Sequence, residues 1–133
     1  MTARSVAAPQ IPVSWGELID KITILEIKSE KIHGEGALAN IRNELDLLHH
    51  SASPVLATNE PVLHLKMKLR TINEMLWTIE DSIREKEAAG DFGAEFVALA
   101  RSVYKHNDER AALKRNINEA LPCGIAEEKS YAK

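Results

Sequence analysis

Apolar residues recur in alternating steps of three and four along the middle of the chain, which is the spacing of one helix face. The residues of this run are Val62, Leu65, Leu69, Ile72, Leu76, Ile79 and Ile83. Asn59 and Pro61 stand just ahead of it, as an N-cap residue and an early-turn proline do. The pattern predicts a helix over residues 59–90, about 45 Å long at 1.5 Å per residue.

A second run with the same spacing follows Gly90, and Asp91 is expected to cap its helix. Its positions are Phe92, Phe96, Leu99, Val103, His106, Arg110, Leu113 and Ile117. Pro122 and Gly124 end the run. Because the junction at Gly90 is so short, the two helices must fold back on each other as an antiparallel hairpin.

An earlier helix is marked by a capping box, in which Ser14 and Glu17 satisfy each other's backbone amides. Gly34 is expected to end this helix in a left-handed conformation. One apolar stripe comprises Leu18, Ile22, Leu25 and Ile32. Ile24 and Ile27 lie roughly opposite that stripe at about 100° per residue. This first helix therefore needs cover on both sides, from other helices or from a second subunit.

The remaining elements are shorter. Residues 38–50 are predicted to form a helix, and residues 51–59, which contain Pro54, to form a loop.

The fold class predicted is all-α, a bundle of about four helices around the long antiparallel hairpin. The predicted segments are a flexible N-terminal lead over residues 1–12, a single helical-bundle domain over residues 13–121 and a polar tail over residues 122–133. Tyr131 in that tail is expected either to fray or to dock in a groove.

Charge and composition narrow the function classes. The chain has 17 basic and 20 acidic residues, a formal charge of -3, so it lacks the basic excess that favours nucleic acid or an anionic membrane. Cys123 is the only cysteine, which excludes an internal disulfide and is typical of a reducing compartment. Neither a secretory signal nor an apolar run of about 18–20 residues is evident. We expect a cytoplasmic protein with no nucleic acid partner, no membrane contact and no cofactor.

Charged residues interrupt the apolar run of the last helix, where His106 and Arg110 replace aliphatic residues. The antiparallel register predicts a cluster of cations near the middle of the hairpin, with His106, Glu17 and Asp20 as internal charge partners. The interpretation we prefer is that this network fixes how the helices pair. In the functional alternative it binds a phosphate or carboxylate ligand. The residues of that candidate site are Arg110, Lys114, Asn107, Tyr104, Arg70, Lys21 and Lys28.

A metal site was tested on spacing. Glu30 with His33, and Asp46 with His49, imitate the carboxylate and histidine pairs of di-iron bundles. Glu30 and His33 are expected at the end of the first helix, beside the start of the second, while His49 lies about 18 Å further along the second helix at 1.5 Å per residue. The two pairs therefore cannot share a metal within one subunit. We predict no metal site.

Four segments carry a resemblance to a known family. They are VSWGELIDKITIL at residues 13–25, LWTIED at 76–81, LARSVY at 99–104 and EEKSY at 127–131. Together they resemble an uncharacterised family of short helical bacterial proteins, a domain of unknown function, over nearly all of residues 12–131. The resemblance implies a small bacterial helical domain and transfers no catalytic residue.

The leading hypothesis is a non-enzymatic interaction or oligomerisation module, expected to form a homodimer and open to another protein partner. It rests on the surplus of apolar helix surface and on the lack of a recognisable catalytic motif. The alternative is a small-molecule binding protein or an enzyme that uses the cations at mid-hairpin. Small chorismate mutases are comparable in size and clamp a dicarboxylate with arginines and lysines. Here the first helix offers Lys21 and Lys28 but no arginine, so this comparison is distant.

Overall fold

A computed structural model describes residues 5–130 as four helices, with no strand among those residues. The helices are α1 (Trp15–Lys31), α2 (Glu35–Thr58), α3 (Glu60–Ala88) and α4 (Ala94–Ala120). The predicted all-α class is confirmed. Residues 1–4 and 131–133 lie outside the described part, and the expectation for Tyr131 falls there.

The start of α1 follows the predicted cap, since the Ser14 side chain accepts a hydrogen bond from the Glu17 amide at 3.2 Å. The end of α1 differs from the prediction. The helix stops at Lys31, and the Ile32 amide closes it by donating to the Lys28 carbonyl at 2.9 Å. Gly34 has φ 112°, and it begins α2 instead of closing α1.

Helix α2 is longer than predicted, because the segment from residue 51 to residue 58 is helical with Pro54 inside it. The prediction of a loop there was wrong. Ala52 is fully buried, and Leu56, one turn later, packs against the core. Burial of this face outweighs the roughly 3 kcal/mol that a proline costs inside a helix.

Helices α3 and α4 form the predicted antiparallel hairpin. The Asn59 side chain caps α3 by accepting from the Val62 amide at 3.2 Å. At the other end Gly90 has φ 66°, its amide donates to the Glu87 carbonyl at 3.0 Å, and the Asp91 amide donates to the Lys86 carbonyl at 2.9 Å. This pair of bonds is the Schellman arrangement, which needs a left-handed residue and so favours glycine.

Asp91 does not cap α4, because the N-cap residue is Gly93. The Asp91 side chain instead accepts from the Gly93 amide at 3.1 Å and from Lys86 Nζ at 3.2 Å. It therefore closes the turn between α3 and α4. Phe92 lies in that turn and makes an edge-on contact with Phe96.

The apolar core lies at the end of the hairpin away from this turn. Its buried centre comprises Ile19, Val62, Leu69 and Ile117, and the residues packed around it are Trp15, Leu56, Leu65, Leu113 and Leu121. Helix α1 crosses the hairpin here and contacts α2, α3 and α4. Ile22 is fully buried and Ile27 is 1% exposed within one chain, while Ile24 is half-buried. Other helices therefore cover both sides of α1, and its two apolar faces give no argument for a second subunit.

The opposite end of the hairpin is different. From residue 74 to residue 113, which includes the turn, no residue is buried. We call residues 74–113 the distal arm; at its base Leu113 packs against the core and Arg110 pairs with Asp20 of α1. The parts of α3 and α4 in this arm each extend about 22 Å or more beyond the core, at 1.5 Å per residue.

Candidate functional site

The charged residue at the centre of the molecule is Asp20, whose carboxylate is 1% exposed. Arg110 of α4 binds this carboxylate through two hydrogen bonds: Nε donates to Oδ1 at 2.9 Å and Nη2 donates to Oδ2 at 2.5 Å. Two-pronged pairing of this kind is the strongest geometry between arginine and a carboxylate. It raises the pKa of Arg110, with the hydrogen bond to Asp20 as the main cause.

One neutral side chain, Asn73, also binds the Asp20 carboxylate, and Thr23 links Asn73 to the Asp20 backbone. Asn73 Nδ2 donates to Asp20 Oδ1 at 2.9 Å and to Thr23 Oγ1 at 2.8 Å. Thr23 Oγ1 in turn donates to the Asp20 carbonyl at 2.7 Å. The network joins α1 to α3 and α4 in one defined register, because a shift of any helix would leave a buried polar group unpaired.

Lys114 forms a second ion cluster one turn further along α4. Its ammonium group contacts Glu17 Oε2 at 2.8 Å and Glu127 Oε2 at 2.6 Å. Burial is the largest single effect on the pKa of Lys114 and lowers it, but the bonds to Glu127 and Glu17 outweigh burial and the pKa is raised. The same bond lowers the pKa of Glu127. Glu127 thereby fastens the polar tail to the bundle.

Close contact between α1 and α4 depends on Gly16. Its amide donates to Asn118 Oδ1 at 2.7 Å, and a Cβ atom on Gly16 would lie 2.5 Å from the Lys114 carbonyl oxygen. Only a residue without a side chain fits between these helices. No local pattern in the sequence indicated the contacts of Gly16, Asn118 and Glu127, although Gly16 and Glu127 lie in the segments that carry the family resemblance.

A separate cluster surrounds Glu26 on the other side of α1. Lys66 Nζ lies 3.1 Å from Glu26 Oε2, and Arg70 Nη1 lies 3.7 Å from Glu26 Oε1. Arg70 also pairs with Glu30, which is the main cause of its raised pKa, and with Glu74 at 3.4 Å. A groove of about 380 Å³ runs beside these residues. Glu26 was not predicted as a charge partner, because its position in the sequence does not indicate which helix it faces.

The predicted cations therefore do not converge on one site. Arg110 and Lys114 share the network around Asp20 and Glu17, while Arg70 pairs with Glu26, Glu30 and Glu74.

The remaining candidates are scattered. Lys21 pairs with Glu44 on the surface at 2.9 Å, and Tyr104 is 54% exposed. The His106 ring lies 2.8 Å from the Ser102 carbonyl, so its contact is with the backbone of its own helix. Lys28 and Asn107 are half-buried, and neither makes a polar side-chain contact with another described residue.

The existing ion pairs limit which ligands these charged clusters could bind. Each of Arg110, Lys114 and Arg70 already holds a carboxylate of the same chain, so an anionic ligand would have to displace that carboxylate. Among residues 5–130 no group of three or more His, Cys, Asp or Glu side chains is placed to hold a metal ion. None of the described helices is long and apolar enough to cross a membrane.

We expect attachment of the tail to depend on pH. A lowered pKa on Glu127 stabilises the attached state above the unfolded value of about 4.3, and this is lost as the pH falls through the folded pKa. A raised pKa on Lys114 stabilises it below about 10.4, and this is lost as the pH rises through the folded pKa. A fluorophore on Cys123, the free thiol at the start of the tail, should therefore show high anisotropy between about pH 5 and pH 10, with losses at both extremes.

Glu127→Gln should lower the anisotropy at neutral pH and remove the acid transition. Its neighbour Glu128 is exposed and forms no ion pair with a described residue, so Glu128→Gln is the matched control and should behave as the wild type. Equal profiles for the two variants would show that the contact with Lys114 does not hold the tail.

Comparisons with known proteins give one match. Neither a curated protein nor a solved structure matches the chain significantly. The model of a family described as a family of unknown function, DUF6165, matches residues 10–133. That range contains every residue of the networks described above, and it agrees with the resemblance drawn from the sequence to the extent of an uncharacterised family. The chain belongs to the family of unknown function DUF6165.

Proposed function

We propose that this protein is a non-enzymatic interaction and oligomerisation module that docks through its distal arm. The observation that carries the proposal is the uneven burial along the hairpin. The core lies wholly at one end, and residues 74–113 contain no buried residue although they form two regular helices. Helices in folded proteins derive most of their stability from packing of an apolar face, so a pair of helices of this length without a buried residue is suited to a partner.

Apolar side chains on the arm support this view. The exposed fractions are 46% for Met75, 55% for Phe92, 49% for Val97 and 54% for Tyr104. Leu76 and Ile79 lie between the two helices but are only half-buried. Two helices alone leave part of the apolar residues between them open to solvent. Two more helices would complete a four-helix arrangement and bury the seam.

The partner we favour is a second copy of the chain. Two such arms, related by a two-fold axis, supply the four helices needed without any other protein. We place this assembly in the cytoplasm, and the support for that is the single cysteine and its exposure.

Sedimentation velocity of the full chain tests the proposal. We expect twice the 14.8 kDa mass of one chain at micromolar concentrations, dissociating on dilution. Met75→Glu should weaken the dimer at least about tenfold, because a charge would be buried against apolar surface. Leu47→Glu is the control: Leu47 is 61% exposed on α2, outside the arm, and its replacement should leave the dimer unchanged.

A wild-type chain that stays monomeric up to about 100 µM would overturn the homodimer. Equal weakening by Met75→Glu and Leu47→Glu would overturn the arm as the docking surface.

The small-molecule alternative ranks second. Its support is the groove of about 380 Å³ beside Lys66 and Arg70. Against it stand the carboxylates of Glu26, Glu30 and Glu74, which already pair with those two cations.

A further inference from the structure

The proposed dimer can be given a specific surface, and this step rests on the proposed function. A groove of about 450 Å³ lies between α3 and α4 where the arm meets the core. Lys68, Thr71 and Ile72 form its α3 wall, and Glu109, Ala112 and Leu113 form its α4 wall.

The groove opens on the side of the hairpin away from α1. Asn73 and Arg70 face α1, as their bonds to Asp20 and Glu26 show. Lys68 and Ile72 are displaced from these two residues by about 100° or more around α3, at 100° per residue. Residues of α3 and α4 line the groove, whereas α1 covers the other side of the hairpin.

Apolar and small residues continue the groove along the arm. At helical spacing Ile72 is followed on the same side of α3 by Met75 and Ile79, and Ala112 is preceded on α4 by Ser102 and Ala98. The exposed Lys105 also lies on this side of α4, between Glu109 and Ser102. Small residues on one wall let a facing helix approach closely. The strip is thus shaped for helices and not for a compact ligand.

The charges at the ends of this strip indicate what lies against it. Lys68 and Glu109 face each other across the groove, are exposed, and form no ion pair with any described residue. Near the turn, Lys86 of α3 and Glu95 of α4 repeat the same signs on the same helices, and these two pair at 2.6 Å. The α3 side of the strip is therefore cationic at both ends and the α4 side anionic at both ends.

A surface with this pattern is complementary to itself. A two-fold axis running along the groove exchanges the walls, so that α3 of one chain faces α4 of the other. Lys68 then meets Glu109 of the partner subunit, and the reverse contact forms at the same time. Three acidic residues of α3 near the turn have no ion pair with a described residue. Asp81 and Glu85 lie about 120° or more from Ile79 around α3 and so project away from the strip, while Glu87 lies about 80° from Ile79, at the edge of the strip.

We propose that two copies of the chain pair along the groove between α3 and α4, with their arms side by side in the same direction and Lys68 of each chain bound to Glu109 of its partner. The arrangement leaves α1 and the Asp20 network on the outer sides of the dimer.

Charge exchange tests this geometry. Lys68→Glu and Glu109→Lys should each raise the dimer dissociation constant about tenfold at low salt, because every dimer contains two such contacts and each becomes repulsive. The double variant Lys68→Glu/Glu109→Lys should return to within about threefold of the wild type, since the pairs re-form with their signs exchanged. Circular dichroism of each variant checks that the monomer fold is intact.

A nitroxide spin label near the turn reports direction. In Cys123→Ser/Ala88→Cys, arms that point the same way place the two labels within about 20 Å, as expected for adjacent helices 8–10 Å apart. Arms that point in opposite directions would separate the labels by about 30 Å or more.

The outcomes separate the two proposals. A monomeric wild type removes the homodimer and this geometry together. A wild-type dimer that weakens with Met75→Glu but shows no rescue in the double charge variant, or a label distance above about 30 Å, retains the arm as the docking surface and overturns pairing along the groove.

Discussion

Arg110→Ala is expected to destabilise the fold by about 3–5 kcal/mol. The reason is that the Asp20 carboxylate, 1% exposed, would lose both bonds to the guanidinium and retain only the amide of Asn73 as a partner. Arg110 is itself 28% exposed, so the reverse change, Asp20→Ala, leaves a cation that can turn towards water and should cost less. Urea unfolding followed by circular dichroism at a fixed protein concentration measures both changes.

Arg101→Ala is the matched control for this substitution. Arg101 lies on the same helix, is exposed and forms no ion pair with a described residue, so its replacement should change the free energy of unfolding by less than about 0.5 kcal/mol. The double variant Asp20→Ala/Arg110→Ala should be less destabilised than the sum of the single variants, because no charge is left unpaired. If Arg110→Ala stayed within about 1 kcal/mol of the wild type, Asp20 could not be as isolated from water as its contacts indicate.

Gly16→Ala is expected to destabilise the fold by about 2–3 kcal/mol, although alanine is intrinsically the better helix residue by about 0.5–1 kcal/mol. The new methyl group would lie 2.5 Å from the Lys114 carbonyl oxygen and 2.8 Å from Asn118 Oδ1. A carbonyl in the middle of a helix cannot move aside as a flexible side chain does. The helices must separate, which also lengthens the bond from the Gly16 amide to Asn118.

Gly36→Ala provides the opposite control. Gly36 is also helical, but an added Cβ meets nothing within 4 Å, so alanine should stabilise the protein by about 0.5–1 kcal/mol. Thermal unfolding of the two variants side by side should therefore give shifts of opposite sign. If the unfolding temperature of both variants shifted in the same direction, intrinsic helix propensity and not the contact with α4 would decide the effect at residue 16.

Local sequence features predicted the hairpin well, because they act within a few residues of each other. The spacing from Val62 to Ile83 predicts a helix whatever surrounds it, and the caps at Ser14 and Asn59 depend only on amides two or three residues away. Gly90 was recognised as the junction for the same reason, since a left-handed residue at a helix end is a local requirement.

Local rules failed where distant residues outweighed them. Pro54 predicted a break, yet burial of Ala52 and the contacts of Leu56 keep α2 helical through it. The cations of the hairpin were predicted as one cluster because α3 and α4 were aligned without the position of α1. In the structure α1 packs across one face of the hairpin, and its two sides carry different carboxylates: Asp20 faces Arg110, while Glu26 faces Lys66 and Arg70.

The sequence by itself determined the helices, the turn at Gly90 and the need to neutralise Arg110, since helical periodicity, capping and the cost of a buried charge are properties of short segments and single groups. Only the tertiary structure decided that α2, α3 and α4 cover α1 within one chain and that the distal arm is left bare. The physical reason is that burial depends on the crossing position of whole helices. That position is set here by the contact of Gly16 with α4 and by the bonds around Asp20, which join residues far apart in the chain.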